Sequence, residues 1–415
     1  MDREANQENA ITGMSRREAI KRSLAAGIAM SVVGPAFSQG VESTAEEPIV
    51  VVRTGPIVDL IQTFIDSTQT PGVAVALFDG TASSSAKIFP VGTINLHTKA
   101  PVEPGVIFEI GSVTKTFTAT LLGFRPDLID EPLLNHLPVS IPNPLLRLIK
   151  IKYLATHTSG FPDTLSGVGA AGAVYLFGNA TQEPELPPNN SAIYHLWESW
   201  YPTDPANTPC SSCQPGSCWL YSDVAFVTLG FVVGGVNYNG LLNTQITAPL
   251  GMTDTAIVPS AKATVAQGYN FDKKTHTPKK APGVSTDLKS SAVDMITWLQ
   301  AQLYPSKIKD SGLRQAIDRT HQIHFRRTDN CPSNEPLLFD MGLAWQFYDG
   351  TTSKLPGEKV YTKNGASGMG GQSCWVAFLP ARKLGIAVLT NLDHGTLGPG
   401  ELGIKILQYQ LGLTS

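Results

Sequence analysis

Val106-Ile107-Phe108-Glu109-Ile110-Gly111-Ser112-Val113-Thr114-Lys115-Thr116-Phe117-Thr118-Ala119-Thr120-Leu121-Leu122 is the stretch on which the fold turns. Its first residues form an extended apolar run, Gly111 interrupts it, and Phe117, Ala119, Leu121 and Leu122 then mark a helix over 114–122. Ser112 opens that helix. Lys115 lies three residues on and shares its face, so an amine stands where it can take the serine proton. A helix N-terminus offers backbone N–H groups to developing negative charge, which suits a nucleophile. Ser-x-x-Lys recurs at Ser84/Lys87 and Ser306/Lys309, but the first precedes a strand and the second follows a helix end at Pro305. Capping alone would explain Ser112 and leave Lys115 as an unexplained charge on an apolar helix.

Working outward, residues 56–65 carry helical spacing, 72–77 read as a strand ending at the Asp79-Gly80 turn, and 88–94 as a second strand. From the Ser112 helix to about residue 283 the pattern is one of helical pieces between proline-rich loops, with no convincing strand ladder. Residues 291–303 form an amphipathic helix. Strands follow at 341–348, 359–363, 372–379 and 384–390, the last two joined by Pro380-Ala381-Arg382-Lys383, and 401–411 closes with a helix. This order predicts an α+β fold: an antiparallel sheet domain flanked by helices, from 48–110 and 285–415, with a mostly helical domain, 111–284, inserted into it.

The 415 residues are 42% hydrophobic and 16% charged, with 38 glycines and 30 prolines. That composition fits one large or two joined globular units and excludes collagen-like, coiled-coil and disordered chains. A formal net charge of −3 leaves no basic footprint for nucleic acid, so the expected partner is a small-molecule or short-peptide substrate. Ser15-Arg16-Arg17-Glu18-Ala19-Ile20-Lys21 precedes an apolar run over 23–37 that is too short to span a membrane. We read 1–38 as a twin-arginine signal, which places the mature protein in the periplasm or otherwise outside the cytoplasm; an amphipathic helix carrying two arginines is the alternative.

In an exported chain, the cysteines Cys210, Cys213, Cys218, Cys331 and Cys374 can oxidise. Cys210, Cys213 and Cys218 lack a fourth metal ligand nearby, so a local disulfide or plain packing is expected, and no metal or organic cofactor. Gly167-Val168-Gly169-Ala170-Ala171-Gly172 follows no strand and reads as a mobile loop, and His321-x-x-His324 lacks the zincin glutamate and spacing and reads as surface.

A lysine acting as base needs its pKa lowered and a proton relay. Two later triplets could supply these: Tyr221-Ser222-Asp223, before the apolar helix 224–233, and Lys363-Asn364-Gly365, which closes a strand and leads through Ala366 into the next. With Ser112/Lys115, and with Leu154-Ala155-Thr156-His157-Thr158-Ser159-Gly160-Phe161-Pro162 between, the motifs stand in an order that resembles the class C β-lactamases and their relatives among D-alanyl-D-alanine peptidases and serine esterases. The resemblance runs from about residue 71 to the end. It implies the β-lactamase/transpeptidase-like fold and acyl transfer, with Ser112 as nucleophile, Lys115 and Tyr221 sharing the base role, and Lys363 supplying positive potential. It also implies an oxyanion hole from the N–H groups of Ser112 and Ala366, with Asp223, Asn364 and Gly365 lining the substrate site. His157 belongs, by the same resemblance, to a structural turn.

The sequence departs from the pattern at three places. Asp223 stands where class C enzymes have asparagine, and a carboxylate cannot donate to a substrate carbonyl as an amide can. It can instead pair with a lysine and hold it protonated. Asn364 replaces a threonine, and Leu392-Asp393-His394-Gly395-Thr396 lacks the asparagine and arginine of class C enzymes. The expected activity is an exported serine hydrolase, with a β-lactam as leading substrate. A D-alanyl-D-alanine peptide, an ester, or a slowly deacylating penicillin receptor remain alternatives.

Overall fold

Gly72–Asp79, Ser373–Leu379 and Leu384–Thr390 are apolar almost without interruption, the pattern of strands buried on both faces. They are the centre of the computed structural model, which describes residues 30–33, 48–82, 86–137, 139–163, 192–201, 213–272, 275–276, 287–330, 336–367, 370–394 and 398–413. In chain order the strands are β1 (Met30–Val33), β2 (Ile49–Val52), β3 (Gly72–Asp79), β4 (Ala86–Gly92), β5 (Ile107–Glu109), β6 (Gly268–Tyr269), β7 (Thr275–His276), β8 (Lys289–Ser291), β9 (Asp340–Met341), β10 (Gln346–Tyr348), β11 (Val360–Ala366), β12 (Ser373–Leu379) and β13 (Leu384–Thr390). The main helices are α1 (Pro56–Thr68), α2 (Thr114–Gly123), α3 (Asp223–Val233), α4 (Ala292–Leu303), α5 (Ser311–Thr320) and α6 (Gly398–Leu411).

The principal sheet runs β1-β2-β4-β3-β13-β12-β11-β10-β9, with only β2 and β4 parallel. Successive side chains point to opposite faces, and each face has its own cover. Ala74, Ala76, Phe78, Val376, Phe378, Ala387 and Leu389 share one core with Ile296 and Leu299 of α4. Val73, Val75, Leu77, Trp375, Ala377, Ile386 and Val388 share the other with Ile57 and Ile61 of α1 and Leu402 and Ile406 of α6. At about 1.5–3 kcal/mol for each large apolar side chain fully buried, these two layers supply most of the favourable term holding the sheet. The α+β architecture is the one the sequence predicts.

Several elements differ from expectation. The single strand predicted over 341–348 is two short strands, β9 and β10, paired antiparallel through Gln346 and Met341 with Ala344 at φ 67° in the turn between them. Hydrophobic patterning cannot register such a reversal, because Leu343, Ala344 and Trp345 are buried in the turn as they would be in a strand. The predicted strand 359–363 continues to Ala366, and the middle of the chain does hold a small ribbon, β6 with β7. His321 and His324 are half-buried rather than on the surface. The His321 ring packs against Trp345, Tyr361 and Phe378, and burial pushes its pKa down to about 3. Residues 167–172, Ser84, Cys210 and Cys331 lie outside the described residues. No single helix among the described residues is long and apolar enough to cross a membrane.

Candidate active site

Ser112 does not sit on the first turn of α2 itself but in the tight turn Gly111–Val113 that leads into it. Gly111 makes that turn possible twice over. Its φ is 50°, which favours glycine, and a β-carbon there would come within 2.6 Å of the Ala366 backbone. The turn carrying Ser112 is therefore pressed, backbone to backbone, against the end of β11. Cys374, opposite Gly365 in the β11–β12 register, donates its thiol to the Ile110 carbonyl at 2.8 Å and ties the same two segments.

Around Ser112 the predicted residues converge. Lys115 Nζ donates to Ser112 Oγ at 3.0 Å and to Asp223 Oδ1 at 2.5 Å, and the Tyr221 hydroxyl donates to Ser112 Oγ at 2.7 Å. Lys363 also approaches the tyrosine, with its Nζ and that of Lys115 each 5.2 Å from the Tyr221 ring centre. Lys363 Nζ donates to the Asn364 carbonyl at 2.9 Å and to Asn364 Oδ1 at 3.2 Å. Asn364 thus serves as a lysine anchor in the resting structure, and Gly365 admits the Ile110 carbonyl close to β11.

The electrostatics follow from who has a counter-ion. Burial alone would depress the Lys115 ammonium, but the Asp223 carboxylate and the Tyr221 oxygen together raise its pKa by more, so it stays protonated. Lys363 is as deeply buried, and desolvation together with the Lys115 charge lowers it to about 7. Burial raises the Tyr221 phenol, with Lys115 opposing, so the hydroxyl is neutral at ordinary pH.

Tyr221 reaches Ser112 from a segment with no regular structure before α3, and Asp223, the first residue of α3, reaches Lys115. The segment is fixed by the turn 157–163, to which it is bonded at five points. The His157 carbonyl accepts Leu220 N–H at 2.7 Å, Thr158 accepts Gly216 N–H at 2.7 Å, and Asp163 accepts Asp223 N–H at 3.1 Å. Ser222 Oγ donates to the Pro162 carbonyl at 2.6 Å, and Ser222 N–H donates to His157 Nδ1 at 3.1 Å. Ser222 also caps α3 by accepting from Ala225 N–H. The His157 ring stacks on Tyr221 with centres 4.3 Å apart, and burial, with the two lysines, drives its pKa well below 6.5. With Nδ1 occupied as an acceptor, His157 is a neutral support for Tyr221, as the turn assignment implies. The disulfide Cys213–Cys218 closes the loop at the start of this segment.

Gln372 is a residue of the site region that no sequence pattern marks. Its Oε1 accepts Glu109 N–H at 3.0 Å and its Nε2 donates to the Ala266 carbonyl at 2.9 Å, which staples three distant segments beneath the site. A lone glutamine entering a strand carries no local signal of that role. Among the described residues no group of His, Cys, Asp and Glu could hold a metal ion.

Comparison with known proteins places this geometry in a family. The Beta-lactamase family model matches residues 57–410. A beta-lactamase of Pseudomonas fluorescens is 26% identical over 382 residues, covering 80% of this chain and 94% of that protein. One from Escherichia coli K12 is 24% identical, covering 80% of this chain and 87% of that protein. A crystal structure of a class C beta-lactamase from Rhodobacter sphaeroides superposes with a TM-score of 0.68 at 21% identity, over 86% of this chain and 99% of that one. The fold is thus the α+β β-lactamase/transpeptidase fold, and the chain belongs to the beta-lactamase family.

Proposed function

We propose that the protein is an exported serine hydrolase that forms an acyl-enzyme at Ser112, with a β-lactam as leading substrate. The observation that carries this is the convergence of Lys115 Nζ and the Tyr221 hydroxyl on one buried serine oxygen. The reaction requires the Lys115 ammonium first to lose its proton to solvent; Ser112 Oγ then attacks the substrate carbonyl while its own proton passes to the Lys115 amine, directly or through the Tyr221 hydroxyl. The oxyanion is received by the N–H groups of Ser112 and Ala366, each such donor being worth about 2.7–4 kcal/mol in enzymes where it has been removed. Water then displaces the acyl group. The export assignment rests on the Arg16-Arg17 pair and the apolar run behind it; cleavage near residue 38 removes β1, an edge strand.

Asp223 favours a slower variant of the same chemistry. By keeping Lys115 an ammonium it makes proton uptake unfavourable, which is the condition for an acyl-enzyme that persists. Incubation with a fluorescent penicillin separates the cases: transient label with substrate loss means turnover, and persistent label means a receptor. Ser112→Ala abolishes labelling and hydrolysis alike, and activity that survives it overturns the assignment. Asp223→Asn raises nitrocefin hydrolysis by about tenfold, the equivalent of one pKa unit on Lys115. A rate unchanged or lower removes Asp223 as the brake.

A further inference from the structure

The Asp223 carboxylate is only half used by the protein. Oδ1 accepts from Lys115, whereas Oδ2 meets no donor among the described residues, and the side chain is 35% exposed while its lysine is wholly buried. The partly exposed carboxylate is therefore one amine away from Ser112, through the two bonds of Lys115 Nζ. A second acidic residue, Asp163, is bonded to the Asp223 backbone. Asp163 accepts Asp223 N–H through its carbonyl, and its own carboxyl carries no ion pair among the described residues. Burial first, and then the Asp223 charge, raise the Asp163 pKa, which shows that the two acids feel each other. Of these two acids only Asp223 is paired with the Lys115 ammonium, and the Asp223 side chain offers acceptors and no donor.

An asparagine at this position offers both an N–H donor and an acceptor; aspartate offers acceptors only. We propose that Asp223 is a specificity-determining residue selecting substrates whose acyl group bears a primary ammonium next to the scissile carbonyl, as in D-aminoacyl amides, D-aminoacyl esters and α-amino-substituted β-lactams. The substrate ammonium donates to Oδ2 in a partly dehydrated site, where a charge-assisted hydrogen bond is strong. It also competes with Lys115 for the same carboxylate. As Asp223 shares its charge, the hold on the Lys115 proton loosens and the amine becomes a better base. Such a substrate restores the base that the resting site keeps protonated, so the gain falls on kcat as well as on KM. A neutral acylamino substrate does neither, and its carbonyl oxygen faces a carboxylate.

The inference rests on the Ser112 acyl-enzyme reading, and its test is built to fail separately from it. Paired substrates that differ by one amine next to the scissile carbonyl are compared: 6-aminopenicillanic acid with penicillanic acid, and D-phenylglycine methyl ester with methyl phenylacetate. The wild type favours the amine-bearing member of at least one pair by tenfold or more in kcat/KM, with kcat contributing. Asp223→Asn abolishes or reverses the preference, and Asp223→Glu, which keeps the charge, retains most of it. N-acetylation of the D-phenylglycine ester removes the advantage in the wild type. Equal rates within both pairs, or a preference that survives Asp223→Asn, overturn the inference. Labelling of Ser112 by a fluorophosphonate, read by mass spectrometry, is the control: no label means the nucleophile assignment has failed, and label without amine preference means that only this inference has.

Discussion

The α2 floor and the β11 edge of the site each present one lysine to the same tyrosine ring, at the same 5.2 Å, and both side chains are buried to within 1%. They nevertheless differ in charge behaviour. Lys115 has the Asp223 carboxylate in direct contact and rises; Lys363, lowered by burial and by the Lys115 charge, bonds the Asn364 carbonyl and amide oxygens and falls to about 7. Burial alone does not decide the state of a lysine; a carboxylate in contact can override it. The two sides of the site are thereby given different work, one holding a proton and the other titrating near neutrality.

Removing the floor lysine breaks this contrast most severely. Lys115→Met deletes the group bonded to both Ser112 Oγ and Asp223 and leaves that carboxylate without its ion-pair partner. Acylation of Ser112, followed by burst kinetics with a fluorescent penicillin, falls by about 10³, within the range of acid–base catalysis. A loss under tenfold means the proton leaves Ser112 by Tyr221 alone.

The β11 lysine is best probed by pH. Its folded pKa of about 7 lies below its unfolded value near 10.5, so between these limits the unfolded chain binds the extra proton and stability rises with pH. The slope from this one group reaches about 1.4 kcal/mol per pH unit. Lys115 runs the other way: its raised pKa gives stability that is whole below 10.5 and is lost only as pH rises through the folded value. Lys363→Met therefore removes the rise in stability between pH 7 and 10, read by urea unfolding, and lowers kcat/KM by about 10² through the lost positive potential. An unchanged stability slope contradicts the depressed Lys363 pKa.

The contrast also explains how much of the site could be read in advance. Ser112, Lys115 and Lys363 lie in or beside regular elements, where spacing and apolar context mark them. Tyr221 lies in an irregular segment and Asp223 at the first position of α3 that follows it, and their placement depends on carbonyls of 157–163 and on the His157 ring. Backbone carbonyls have no sequence identity, so only the resemblance to a family marked that turn as structural. The double-faced core was legible in the unbroken apolar strands. The β9–β10 reversal and the Gln372 staple were not, because a buried turn looks like a strand and a long-range bond leaves no periodic trace.

The smallest effect expected tests whether the irregular side needs its covalent tie. Cys213–Cys218 spans five positions and closes three residues before Tyr221. For so short a loop the entropy removed from the unfolded chain is worth only about 2 kcal/mol. Each end is also buried, so a serine pair loses some apolar contact as well. The five bonds to 157–163 persist in its absence, and those bonds, not the disulfide, set the Tyr221 hydroxyl against Ser112. Cys213→Ser/Cys218→Ser therefore lowers the melting temperature by a few degrees while kcat falls no more than about threefold. A fall of a hundredfold at unchanged melting temperature reverses the order of importance: the disulfide would then be the element holding Tyr221 in place, and the His157 turn merely its neighbour.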